Sequence, residues 1–169
     1  NTASIAVQAI KQRLILEGRP MNETLNVVVP TDFSEESLAA LEWVEKLSDR
    51  GHAVVHCVNV VQHPIVYMPV MSGTTLESVP AVEELQKISQ KSLDSFIAQH
   101  MDGLENKPVS KVLVGRPAEE ITNYAKEINA QMIVIATHGH SGLTHMMLGS
   151  TAEGVVRQAG CPVLTVRCK

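Results

Sequence analysis

The run "LNVVVPTDFSEESLAALEWVEKLSDRG", Leu25 to Gly51, carries a strand, a turn and a helix in direct succession. "LNVVV" is short, β-branched and nearly all apolar, the pattern of a strand buried on both faces. After the turn, Leu38, Leu41, Val44 or Glu45, and Leu47 recur at helical spacing. Ser34 can cap that helix, Glu35 and Glu36 suit its first turn, and Gly51 stands where a stop is expected.

Outward from this unit the alternation continues. "AVVHCVNVV" is a second buried strand, and "VEELQKISQKSLDSFIAQHM" a long helix with Leu85, Ile88, Ser92, Phe96 and His100 expected along one face. "VSKVLVG" is a third strand, and "PAEEITNYAKEI" a third helix with Pro117 suited to its first position. "MIVIA", "STAEGVVRQAG" and "PVLTVR" supply a fourth strand, a fourth helix and a fifth strand. Strands separated by helices pair in parallel through right-handed crossovers, which predicts a three-layer α/β sandwich, Rossmann-like in outline. One connection, Gln62 to Pro80, is long and irregular, and connections of that length are usually functional or disordered.

The chain has 169 residues, enough for one domain with a real core, and its 44% apolar and 19% charged residues are an ordinary globular balance. Aromatics are only 3%, so the core must rest on Val, Ile, Leu, Met and Ala. A net charge of −4 speaks against nucleic acid as a partner. No apolar run approaches the roughly 20 residues of a membrane span, so no direct membrane contact is expected. Cys57, Cys161 and Cys168 lack paired C-x-x-C spacing, and with no secretory signal the cytoplasm is the expected location. Met21 marks a natural start or domain edge, giving a domain over 21–169. Before it, Ile5, Ala6, Ala9, Ile10 and Leu14 share a helical stripe that stops at Gly18 and Pro20. Residues 1–20 therefore read as an N-terminal helical extension, or as a vector or leader segment.

In an open parallel sheet, ligands sit beyond the carboxyl ends of the strands where the winding reverses. That directs attention to "PTDFS" after the first strand and "THGHSGLTHMMLGST" after the fourth. The P-loop pattern is absent, and the first turn has no glycine for a dinucleotide fingerprint. "GHSG" misses the nucleophile elbow by one residue, so Ser141 is not expected to attack anything. His138, His140 and His145 have no neighbouring cysteine or carboxylate in sequence to complete a metal set, and a polar role is preferred. Gly149, Ser150 and Thr151 lead straight into the fourth helix, whose backbone N–H groups suit a phosphate. Gly139 offers the same close approach at the outgoing strand end. The competing reading is that Ser150 and Thr151 simply cap the helix. Asp32 would repel phosphate there, but it can accept hydrogen bonds from an exocyclic amine or ribose hydroxyls.

These residues resemble the universal stress protein family. The likeness runs from about Asn26 to Arg167 and rests on "VVVPTDFS", "VGRPAEEI" and "THGHSGLTHMMLGSTAEGVVRQAGCPVLTV". The family's nucleotide-binding subgroup is marked by G-x2-G-x9-G-[ST], which Gly139, Gly149 and Ser150 match. The resemblance implies an adenine-nucleotide α-hydrolase-like fold with a five-stranded parallel sheet in order 3-2-1-4-5. It implies binding of ATP, or of ADP or AMP, with or without Mg. By position, Pro30, Thr31 and Asp32 would meet the adenine and ribose, and Cys57 or its neighbour Val58 would border the base. His138, Gly139, Gly149, Ser150 and Thr151 would surround ribose and phosphates. It also implies a homodimer paired through the last strand, Pro162, Val163, Leu164, Thr165 and Val166. Two positions depart from the pattern: Ala136 replaces the motif's first glycine, and His140 stands where Arg or Lys is common.

The expected function is thus a cytoplasmic stress-response module regulated by adenine-nucleotide occupancy, with at most slow ATP hydrolysis. A nucleotide-independent dimeric interaction module is the alternative, supported by Ala136 and the missing basic residue. An enzyme of the ATP-pyrophosphatase type is disfavoured, since "PTDFS" is not a Ser/Gly-rich loop.

Overall fold

β1 (Leu25–Pro30) forms the middle of a five-stranded parallel sheet because its valines can be buried from both sides: Val27, Val28 and Val29 are almost completely covered. The computed structural model describes residues 24–48, 53–62, 81–137 and 148–167, together with Gln12; side chains of 46–48 are outside the description. Along the chain follow α1 (Glu35–Ser48), β2 (Ala53–Val61), α2 (Val82–His100), β3 (Val109–Val114), α3 (Pro117–Glu127), β4 (Met132–Ala136), α4 (Ser150–Gln158) and β5 (Val163–Val166). The strand order is β3-β2-β1-β4-β5, the expected 3-2-1-4-5, with every pairing parallel.

The sheet divides the core in two. Val27, Val29, Val55, Cys57 and Val134 face one side, where Ala40, Leu41 and Val44 of α1 and Leu93 and Phe96 of α2 cover them. Val28, Val58, Ile133 and Ile135 face the other, beneath Ile121, Tyr124 and Ala125 of α3 and Ala152 and Val155 of α4. Two helices on each face make the three layers. The winding reverses between β1 and β4, so the chain leaving one strand end emerges beside the chain leaving the other.

Ser34 caps α1 as expected, its Oγ accepting the Ser37 N–H at 3.2 Å. Leu41 and Val44 are buried, with Ser37 and Ala40 beside them, while Leu38 is half-buried. The α2 stripe is corrected. Ser89, Leu93 and Phe96 are its buried residues, whereas Ser92 and His100 are exposed and Ile88 is 55% exposed. Successive steps of four advance about 400° and drift off a face that steps of three and four together would hold. The true stripe contains a serine, whose hydroxyl donates to Asn59 Oδ1 at 2.6 Å. Gly51, Leu47's side chain, the stripe within residues 1–20, most of the Gln62–Pro80 connection, and His138 to His145 lie outside the described residues.

Candidate functional site

Beyond the carboxyl ends of β1 and β4 lies a cleft of about 280 Å³. Its walls come from Pro30, Thr31 and Asp32 at the end of β1, from Val58 to Val60 of β2 and Gln62 just beyond it, and from Ile135, Ala136 and Thr137 at the end of β4. Pro117 and Ile121 of α3 close one side, and Gly149 to Ala152 at the start of α4 another.

The turn after β1 is held by a chain of hydrogen bonds. Thr31 N–H continues the sheet by donating to the Val58 carbonyl at 2.9 Å. The Thr31 carbonyl accepts from Asn59 Nδ2 at 2.8 Å, and Asn59 in turn accepts from Ser89. Thr31 Oγ1 accepts the Phe33 N–H at 3.0 Å and lies 2.9 Å from Ser37 Oγ. Ser37 donates its own proton to the Ser34 carbonyl at 2.7 Å, so Thr31 is the donor between the two hydroxyls. Buried polar groups satisfied in this way fix a single conformation.

Phe33 completes the turn with φ of 65°, a left-handed conformation that is costly for a bulky residue. Its ring packs against the core and meets Phe96 edge-on at 5.8 Å, which anchors the strained backbone. The consequence is felt one residue earlier. Asp32 projects onto the cleft wall, where Oδ1 accepts the Ser34 N–H at 3.1 Å and the Ser34 hydroxyl at 2.5 Å. Ser34 is the cap, and Asp32 orients that cap while facing the cleft.

Across the cleft, α4 starts without a side-chain cap. Its N-cap is Gly149, and neither Ser150 nor Thr151 closes back on the backbone as the competing reading required. Gly149 N–H donates to the Thr137 carbonyl at 2.8 Å, tying the helix start to the end of β4. Glu153 N–H closes the first turn onto the Gly149 carbonyl at 2.9 Å. Ser150, Thr151 and Ala152 are therefore the first-turn residues whose N–H groups have no acceptor within the helix, and all three line the cleft. Half a unit of positive charge from the helix dipole adds to those donors.

The cleft thus brings together Pro30, Thr31, Asp32, Val58, Ala136, Gly149, Ser150 and Thr151. Cys57 is not among them. It is fully buried on the opposite face of the sheet, and that burial pushes its thiol up to about 12. Adjacent residues of a strand face opposite ways, so only Val58 of the pair reaches the cleft. His138 and Gly139 lie outside the described residues. Sequence reasoning passed over Ser37, Asn59, Gln62 and Thr137; the available signal was Asn59, an amide in a largely apolar strand. Among the described residues, no three of His, Cys, Asp and Glu converge as metal ligands. No described helix is long and apolar enough to cross a membrane.

The same segments are matched in known proteins. A universal stress protein of Methanocaldococcus jannaschii is 34% identical over 146 residues, covering 83% of this chain and 81% of the relative. A solved universal stress protein in complex with cAMP superposes with a TM-score of 0.60 at 22% identity, over 84% of this chain and 96% of its own. A universal stress protein family protein of Arabidopsis thaliana, solved with AMP bound, does so with a TM-score of 0.54 at 18% identity, over 86% and 92%. At those identities the two structures establish the common fold. The model of the universal stress protein family matches residues 24–167, which span every element of the sheet and all four helices around it, and the chain belongs to that family.

Proposed function

We propose that this chain binds an adenine nucleotide in the cleft at the switch point and acts as a cytoplasmic regulatory module through occupancy rather than turnover. The observation that carries the reading is the uncapped N-terminus of α4 facing the cleft whose far wall bears Asp32. Phosphate oxygens suit the first-turn N–H groups, and the carboxylate suits the amine or hydroxyl donors of the nucleoside. Solved family members holding cAMP and AMP lend support. Asp32 is the one carboxylate among the described cleft residues, so Mg, when present, would arrive on the nucleotide's phosphates rather than on a protein cage. β5 pairs only with β4 among the described strands, which leaves Val163 to Val166 as an edge for a second copy. A homodimer through that edge belongs to the same reading, with light scattering as its check.

The test is to denature the purified protein and identify any released nucleotide by chromatography and mass spectrometry, alongside calorimetry with ATP, ADP and AMP. No released nucleotide and no binding at millimolar concentration would end the reading. Gly149→Val places the phosphates more narrowly. Gly149 has φ of −58° and ψ of 148°, which valine accepts, so the variant should fold while its side chain fills the space beside the first-turn donors. Nucleotide retained at unchanged affinity in that variant would show the phosphates lie elsewhere.

A further inference from the structure

We infer that the cleft selects an adenine nucleotide of low charge, a monophosphate or cyclic monophosphate, over a triphosphate; this rests on the adenine-nucleotide reading above. The cleft-lining residues among those described include no lysine or arginine. The connections leaving β1, β2 and β4, residues 31–34, 62–81 and 137–149, contain none in the sequence either. Among the described residues that follow the strands at this end of the sheet, the basic ones are Arg116 and Arg167. Arg116 precedes α3, is 82% exposed and pairs with Glu119 at 3.2 Å; Arg167 is exposed past the edge strand.

Among the described residues, positive potential then comes from helix starts, and most are already answered. Glu35 and Glu36 occupy the first turn of α1, and Glu119 and Glu120 that of α3. Glu153 of α4 is itself paired with Arg157 at 3.1 Å, which leaves the Ser150–Ala152 donors as the main attraction for an anion. That set matches one phosphate group. A cyclic phosphodiester brings a single negative charge and a monophosphate about −1.5 to −2 at neutral pH. Each further phosphoryl group adds charge that meets no described basic side chain, and repulsion from Asp32 in the same cleft and from a chain of net charge −4. The methyl group of Ala136, almost fully buried in the wall at the end of β4, further limits the space there.

Calorimetry of the full chain with cAMP, AMP, ADP and ATP, each in excess EDTA at fixed ionic strength, tests the inference. AMP or cAMP should bind at least about fivefold more tightly than ATP, and added salt should narrow that gap by screening the surplus repulsion. ATP binding as tightly as both, or more tightly, would overturn the inference while leaving the adenine-nucleotide reading standing. Failure of all four to bind would instead overturn that reading and the inference with it.

Discussion

Gly154 sits in the middle of α4, where α4 crosses α3, and a Cβ built on it falls 2.6 Å from the Cβ of Ala118. Carbon atoms in comfortable contact lie about 3.5–4.0 Å apart, so Gly154→Ala is roughly 1 Å too close. Neither methyl has a torsion that moves it away, and the two helices must separate. Opposing this, alanine is better than glycine in a helix interior by about 0.5–1 kcal/mol. Overpacking of a tight contact costs about 1–3 kcal/mol, so the clash wins and a net loss of about 1 kcal/mol is expected. For a domain of this size that is a fall of about 2–4 °C in Tm. The displacement also reaches the site, because Ser150 and Thr151 are about one helical turn away, roughly 5–6 Å along the axis. A severalfold loss of nucleotide affinity should accompany the loss of stability. Thermal and urea unfolding of Gly154→Ala, Ala118→Gly and the double variant close the cycle. In the Ala118→Gly background the same substitution should stabilise, since the opposing methyl is gone. A raised Tm for Gly154→Ala alone would refute the reasoning, because propensity would then be acting with no steric opposition.

Gly115 follows β3 with φ of 145°, and a Cβ there would lie 2.7 Å from Glu120 Oε1. Gly115→Ala should therefore lose about 1–3 kcal/mol in urea unfolding, mostly from the backbone, and Glu120→Ala should recover only the smaller, side-chain part. His56 is buried with Nδ1 2.9 Å from Tyr124 Oη and no partner for Nε2 among the described residues, and burial lowers its pKa below 6.5. Below pH 6.5 the unfolded chain takes up a proton that the folded chain refuses. Its contribution to stability is thus complete above that pH and is lost as pH falls through 6.5 toward the folded value, by at most about 1.4 kcal/mol per unit. His56→Gln should flatten the difference in stability between pH 7 and pH 5, measured by urea titration at each pH; an unchanged slope would remove His56 from the account.

The sheet was legible because its strands are covered on both faces, so β1, β2 and β4 stand out as apolar runs whatever their phase. The same property hid which residues face the cleft. In "AVVHCVNVV" the alternation that would separate Cys57 from Val58 is erased when both sides are apolar, and only packing reveals that Val58 is on the cleft side. Polar residues that earn burial by pairing were missed for a related reason. Ser89 lies in the α2 stripe and Asn59 in a central strand, each satisfied by the other, and a pattern that equates burial with hydrophobicity skips both. Gly154 reads in sequence as a weak point in a helix, yet it marks a close approach between α3 and α4. Phe33 shows no glycine signal, although its backbone adopts the conformation glycine adopts most easily, because its ring is anchored against Phe96.

The two ends of the glycine motif are related by more than their spacing. Thr137 N–H donates to the Val166 carbonyl at 2.8 Å, which fixes the exit of β4 against β5, and the Thr137 carbonyl receives the Gly149 N–H at the same distance. Ala152 and Val155 then seat α4 against Ile133 and Ile135 of the same sheet. The position of the first-turn donors is therefore set by the sheet through one carbonyl and two buried side chains. Ala136, one residue before Thr137 and paired with Val166 in the β4–β5 ladder, leaves these hydrogen bonds intact, and its methyl group occupies space in the cleft wall.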